Sequence, residues 1–67
     1  MLVKQLVNFI IKEGSDYKFT IMNGDTTVIT FKIPTGANIE YVPWANSEVM
    51  DWKLYGGDEE YLVNIYI

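Results

Sequence analysis

Apolar side chains in the first thirteen residues recur with the period of an α-helix. At about 100° per residue they fill one continuous arc, formed by Leu2, Val3, Leu6, Val7, Phe9, Ile10 and Ile11. The opposite arc is polar and holds Lys4, Gln5, Asn8 and Lys12. Gly14 follows where a helix C-cap glycine is common, so the pattern predicts a helix over residues 1–13. A strand is the alternative, because Val, Ile and Phe also favour strands.

Residues 17–33 alternate between apolar and polar side chains with the period of two that β-strands show. Asn23-Gly24 divides them into two runs, which predicts a β-hairpin. A two-residue loop at that dipeptide would divide the large apolar residues between the two faces. A three-residue loop that begins at Met22 pairs Ile21 with Asp25 and keeps them on one face, and it is therefore the preferred register.

Two more runs alternate in the same way, over residues 48–55 and 61–67, and Gly56-Gly57-Asp58 is predicted to join them as a turn. Their inward positions are Met50, Trp52 and Leu54, then Tyr61, Val63, Ile65 and Ile67. Residues 34–47 are irregular apart from a short extended piece at 39–42. The fold class predicted is α+β, a single domain over residues 1–67 with an N-terminal helix packed on a four- or five-stranded antiparallel sheet. An all-β fold with residues 1–12 as a strand is the alternative.

The residue types that most catalytic and metal sites require are missing. The chain of 67 residues has no Cys and no His, which excludes disulfides, zinc fingers and most transition-metal sites. Ser15 and Ser47 lie in turn-like segments without the context of an activated nucleophile. Asp58-Glu59-Glu60 lacks the alternating spacing of a calcium loop. We therefore expect a protein that is not an enzyme and that needs no metal or cofactor.

Charge is unevenly distributed along the chain. The formal net charge is −4, and residues 33–67 hold Lys53 alone against six carboxylates. There is no Arg, so direct binding to DNA or RNA is not expected, and a partner protein with a basic surface fits better. The sequence has no apolar stretch of membrane-spanning length and no signal peptide pattern, which favours a cytoplasmic location.

The aromatic residues divide into two sets. Predicted inward positions hold Phe9, Tyr17, Phe19, Phe31, Trp52 and Tyr61, whereas Tyr41, Trp44, Tyr55 and Tyr66 fall outside them. Exposed Trp and Tyr beside acidic groups are typical of protein-binding hot spots. The predicted partner-binding residues are Glu40, Tyr41, Trp44, Glu48, Asp51, Tyr55, Asp58 and Glu59. Two roles stay open for Trp44, an interface anchor or a residue that closes the core beneath its loop.

The predicted helix has a wider apolar arc than packing on one sheet requires. A homodimer partner on the second apolar surface would explain the excess. A small domain that buries more of its helix inside a curled sheet would explain it equally.

Several stretches resemble short proteins of phages and mobile elements of low-GC bacteria. They are residues 2–7 (LVKQLV), 14–19 (GSDYKF), 49–54 (VMDWKL) and 62–67 (LVNIYI), in a chain rich in Ile, Asn, Lys and Tyr. Small acidic phage proteins include inhibitors of bacterial defence systems, such as anti-CRISPR proteins. The resemblance implies an inhibitor that binds a host defence protein in the bacterial cytoplasm. The alternatives are a protein that sequesters a nucleotide-like ligand and a structural module that self-associates.

Overall fold

The computed structural model of the protein describes residues 1–11, 15–34, 41–57 and 59–67. In chain order these form α1 (Val3–Ile10), β1 (Tyr17–Asn23), β2 (Thr26–Ile33), β3 (Asp51–Gly56) and β4 (Tyr61–Tyr66). The strands make one four-stranded sheet in the order β2-β1-β4-β3. The predicted α+β class with an N-terminal helix is confirmed, and the all-β alternative is wrong.

The sheet is mixed. β1 pairs with β2 and β3 pairs with β4 in antiparallel fashion, but the two central strands, β1 and β4, are parallel. The prediction of an antiparallel sheet is therefore wrong. Alternation along a strand determines which side chains face the core, but it contains no information about which strand lies beside which. Residues 34–50 connect one edge of the sheet to the other, and this crossover makes β4 the neighbour of β1.

Several element boundaries differ from the predicted ones. α1 begins and ends inside the predicted range, and Ile11 has extended backbone angles of φ −64° and ψ 130°. The predicted cap at Gly14 lies outside the described residues, as do residues 39 and 40 of the predicted extended piece; Tyr41 and Val42 belong to no strand. β3 begins at Asp51 rather than at residue 48, because Glu48 instead forms an isolated bridge with Leu2.

The predicted three-residue hairpin loop is wrong. Asn23 pairs with Thr26, so the loop is Gly24-Asp25, with Gly24 in the left-handed region at φ +60°. The register then shifts beyond Ile21, which pairs with Ile29, so that Val28 is an extra residue in β2. Such a bulge adds one residue to one strand and restores the facing of those that follow. The large apolar residues of both strands consequently share one face, as the sequence predicts.

One face of the sheet is covered by α1 and by part of the crossover. The buried apolar side chains are Val3, Leu6, Val7 and Ile10 of α1, Tyr17, Phe19, Ile21, Ile33, Val63 and Ile65 of the sheet, and Val42 of the crossover. The Phe19 ring stacks on that of Phe31 with centroids 5.3 Å apart, and the Tyr17 ring stacks on Tyr61 at 5.4 Å. Phe9, predicted to face inward, is instead 72% exposed, so the buried face of the helix is narrower than its apolar arc.

Candidate partner-binding surfaces

The aromatic turn, defined as residues 43–47, is held against the N-terminus of α1 by main-chain hydrogen bonds. The Val3 N–H donates to the Ser47 carbonyl at 2.9 Å, and the Lys4 N–H donates to the Ala45 carbonyl at 3.0 Å. These two N–H groups belong to the first turn of α1, and N–H groups in the first turn of a helix have no hydrogen-bond partner within the helix. The turn thus replaces a side-chain cap, and its own position is set by the helix.

Trp44 has an uncommon backbone conformation within this turn. Its φ is +58°, in the left-handed region that residues other than Gly rarely adopt. Its carbonyl accepts a 3.0 Å hydrogen bond from the Ser47 N–H. Residues in such conformations persist when the surrounding structure imposes them, and they are found disproportionately at binding and active sites. The side chain is 50% exposed, while Val42 and Ala45 on either side pack into the core.

Tyr41 and Glu48, which flank the aromatic turn in sequence, are also exposed. The Tyr41 side chain is among the most exposed of the large apolar side chains in the described part of the chain. A carboxylate oxygen of Glu48 lies 3.2 Å from the Met1 amino group, and 74% of the Glu48 side chain is exposed. The sequence-predicted residues Tyr41, Trp44 and Glu48 therefore lie on one short segment.

The remaining predicted residues are spread over the length of β3. Asp51 begins the strand, while Tyr55 pairs with Leu62 near its other end, and both lie on the sheet face opposite α1. Glu59 lies beyond that end, in the connection to β4. Glu40 and Asp58 lie outside the described residues. The structure does not bring the described residues into one compact patch.

β3 is a further exposed surface, although its apolar side chains were predicted to lie in the core. All six of its residues are exposed, and the strand forms one edge of the sheet. Trp52 and Leu54 do lie on the covered face, opposite Ile65 and Val63, but they remain 38% and 47% exposed. A helix with its side chains is about 10–12 Å wide, whereas four strands at about 4.8 Å spacing span more than that. One short helix therefore leaves the β3 side of the sheet uncovered.

The open face of the sheet, opposite α1, collects most of the positive charge. Lys18 and Lys32 are direct cross-strand neighbours on β1 and β2, and Lys53 lies on the same face of β3. Like charges placed directly opposite each other destabilise a sheet. The order of charges along the chain does not reveal this grouping, because Lys53 lies far from Lys18 and Lys32 in sequence and only the sheet brings the three to one face.

An open cleft of about 470 Å³ lies at the end of the sheet where β4 begins. It is lined by Asp16, Lys32, Gly57, Glu59, Glu60 and Leu62. No group of three or more acidic side chains in the described part of the chain is arranged to hold a metal ion. Every buried side chain among residues 1–11, 15–34, 41–57 and 59–67 is apolar or aromatic. The exposed surfaces are thus the candidate sites.

Comparisons of the chain with protein-family models, with curated proteins and with solved structures find no match. The single helix in the described part of the chain is too short to cross a membrane. The aromatic turn, β3 and the open face are the surfaces of the described residues at which a partner could bind.

Proposed function

We propose that this chain is a non-catalytic binding protein that inhibits a partner protein, with Trp44 as the main anchor. The observation that carries the proposal is the exposed indole on a left-handed backbone, in a turn that Ala45 and Ser47 join to α1 by hydrogen bonds. An anchor whose main chain is already held in place loses less conformational freedom on binding, which favours affinity. Tryptophan is also among the residues most enriched in binding hot spots.

A partner with a basic surface suits the charges near this anchor. Glu48 follows the aromatic turn and Asp51 begins β3, and the chain as a whole carries a net charge of −4. Charges at the rim of an interface mainly accelerate association, whereas buried aromatic anchors mainly slow dissociation. The resemblance to small phage proteins supports a bacterial defence protein as the target, and inhibition would follow from occupying its basic site.

The test begins with affinity capture from a bacterial host lysate and native mass spectrometry of the captured species. Wild type, Trp44→Gly and the control Phe9→Ala are then compared for binding to the identified protein. Phe9→Ala removes an exposed aromatic side chain from α1, away from the aromatic turn. We expect Trp44→Gly to dissociate much faster, with a loss of about 2 kcal/mol or more in binding free energy, and Phe9→Ala to bind as wild type does.

Glycine is the informative substitution at position 44, because it removes the indole and relieves the left-handed backbone together. Non-Gly residues pay about 1–2 kcal/mol in this region, so Trp44→Gly should be about 1 kcal/mol more stable than Trp44→Ala in urea denaturation. A folded Trp44→Gly variant that keeps full affinity would contradict the proposal. Glu48→Lys should instead slow association, with a smaller effect at high salt.

A further inference from the structure

We infer that two copies of this chain join through their β3 strands, antiparallel about a two-fold axis at Trp52, into one eight-stranded sheet. The inference does not depend on the proposed function, because neither Trp44 nor the aromatic turn takes part. It commits to a second copy as the occupant of the β3 edge and to one register of pairing.

The two edge strands of the sheet differ in how well they are protected from pairing with a further strand. β2 contains the bulge at Val28, and bulges are a common device that makes an edge strand a poor template for further pairing. β3 pairs with β4 without any shift of register from Asp51 to Gly56. A regular, exposed edge strand presents main-chain donors and acceptors to a further strand, and on β3 the Trp52 N–H donates to the carboxylate of its neighbour Asp51 at 2.9 Å, a bond that a second strand would replace. β3 is therefore the edge that can accept another strand.

The side chains along β3 are those of an interface. Trp52 and Leu54 alternate onto the covered face and are 38% and 47% exposed, and Met50, which precedes the strand, is 81% exposed. Apolar side chains in a row beside an open strand edge are a typical target of strand addition, because the main chain supplies hydrogen bonds and the side chains supply burial. A partner strand must therefore bring apolar residues at the same alternate positions.

Two-fold symmetry restricts the registers in which β3 can pair with itself. The axis of an antiparallel, edge-to-edge dimer stands perpendicular to the sheet, so each face of one copy continues into the same face of the other. Paired residues must then share a face, and one residue must lie opposite its own copy on the axis. Tyr55 or Gly56 on the axis would place Trp52 and Lys53 opposite residues beyond the end of the strand, so the candidates are Asp51, Trp52, Lys53 and Leu54.

Charge selects among these four registers. With Asp51 or Lys53 on the axis, identical charges would face each other, which destabilises strand pairing. With Leu54 on the axis, Trp52 faces Gly56 and Lys53 faces Tyr55, so neither charge of the strand is paired. With Trp52 on the axis, Asp51 faces Lys53 of the second copy twice, and the two Trp52 side chains lie opposite each other. Of the four registers, only this one pairs Asp51 with Lys53.

Charge reversal tests the register in solution. Lys53→Asp and Asp51→Lys each place like charges opposite each other at two sites, so each should raise the dimer dissociation constant at least about tenfold in sedimentation equilibrium. The double variant Asp51→Lys/Lys53→Asp restores both pairs and should restore the dimer. Lys32→Asp, a matched reversal on the opposite edge strand, should leave the dissociation constant unchanged.

Cysteine cross-linking tests the same register by an independent measurement. The chain has no Cys, so an introduced Cys can form a disulfide only with its copy in the second molecule. Trp52→Cys places two thiols next to each other across the axis and should give a disulfide-linked dimer on oxidation. Leu54→Cys places them about four residues apart along the strand, roughly 13 Å, which is beyond the reach of a disulfide. Circular dichroism of each variant checks that it is folded.

Three results would overturn the inference. One is a wild type that stays monomeric at the highest soluble concentration, which would leave the β3 edge for a strand of another protein. Another is a dimer that both single reversals leave intact. The third is a dimer in which Leu54→Cys cross-links and Trp52→Cys does not, which would place Leu54 on the axis. Dimerisation with restoration by the double reversal supports the inference.

Discussion

Phe9 and Phe19 show how differently two side chains of one type contribute to this domain. Phe19 is fully buried on β1 between the rings of Tyr17 and Phe31, at centroid distances of 6.0 and 5.3 Å. Phe9 lies on the apolar arc of α1 but projects beyond the width of the contact with the sheet. The burial of each ring, rather than its hydrophobicity, should determine its effect on stability.

Truncating the two rings is expected to change the free energy of unfolding by very different amounts. Phe19→Ala should lower the free energy of unfolding by about 3–5 kcal/mol, which approaches the whole stability of a small domain, and should leave much of the protein unfolded. Phe9→Ala should change it by no more than about 0.5 kcal/mol. Urea denaturation followed by circular dichroism measures both. Equal losses would mean that Phe9 is buried in solution, for instance against a second copy.

The burial of Leu6 likewise determines whether a substitution there would affect folding or association. Leu6 is fully buried between α1 and the sheet, so a charged side chain there would unfold the domain rather than dissociate an oligomer. The exposed apolar side chains that could join two copies lie instead on β3.

At the scale of elements, the β1–β2 hairpin depends on two local features. One is the Gly24-Asp25 loop, in which Gly24 has a positive φ, and the other is the bulge at Val28. With this loop, β2 has one more residue than β1 between the paired positions on either side of the bulge, and Val28 is the residue left without a partner in β1. Together the loop and the bulge place Phe31 opposite Phe19 on the covered face.

Gly24→Ala tests the backbone requirement of that loop. No atom beyond the two neighbouring residues in the chain lies within 4 Å of the position that the alanine Cβ would take, so the substitution changes the backbone energy without a steric clash. We expect a loss of about 1 kcal/mol in the free energy of unfolding, because φ is +60° there. The neighbouring Asp25→Ala serves as the control and should have little effect. A loss of similar size in both variants would point to the loop's polarity rather than to its backbone.

At the scale of the whole molecule, charge is separated between surfaces. Three of the five lysines lie on the open face with Asp51 as its one carboxylate among the described strands, while Asp16, Glu59 and Glu60 line the cleft at the end of the sheet, which Lys32 also lines. The net charge of −4 therefore conceals a locally positive face. An average over the chain describes long-range repulsion, but not the field close to one face.

We expect that this positive face is too small to hold nucleic acid against the overall negative charge. Three lysines without any arginine offer few phosphate contacts, and affinity grows with their number. A gel shift with single-stranded DNA and RNA should show no complex at micromolar protein. A complex that weakens steeply with salt and disappears in Lys18→Ala/Lys32→Ala would contradict this and assign binding to the open face.

The sequence by itself determined the features that depend on local pattern. The period of 3.6 along residues 2–11 predicted α1, and the period of two predicted all four strands and the inward face of each. The absence of Cys and His excluded disulfides and any site that is built on a thiol or an imidazole. These deductions hold because backbone geometry links each residue to its near neighbours whatever the rest of the chain does.

Only the tertiary structure decided which elements lie side by side and which side chains remain exposed. The crossover of residues 34–50 made β1 and β4 parallel neighbours and left β3 at an edge, so Trp52 became exposed although its face was predicted correctly. The hydrogen bonds between α1 and the aromatic turn held Trp44 in a left-handed conformation. Neither outcome follows from local pattern, because each depends on contacts between segments about 40 or more residues apart, whose partners are chosen by the packing of the whole domain.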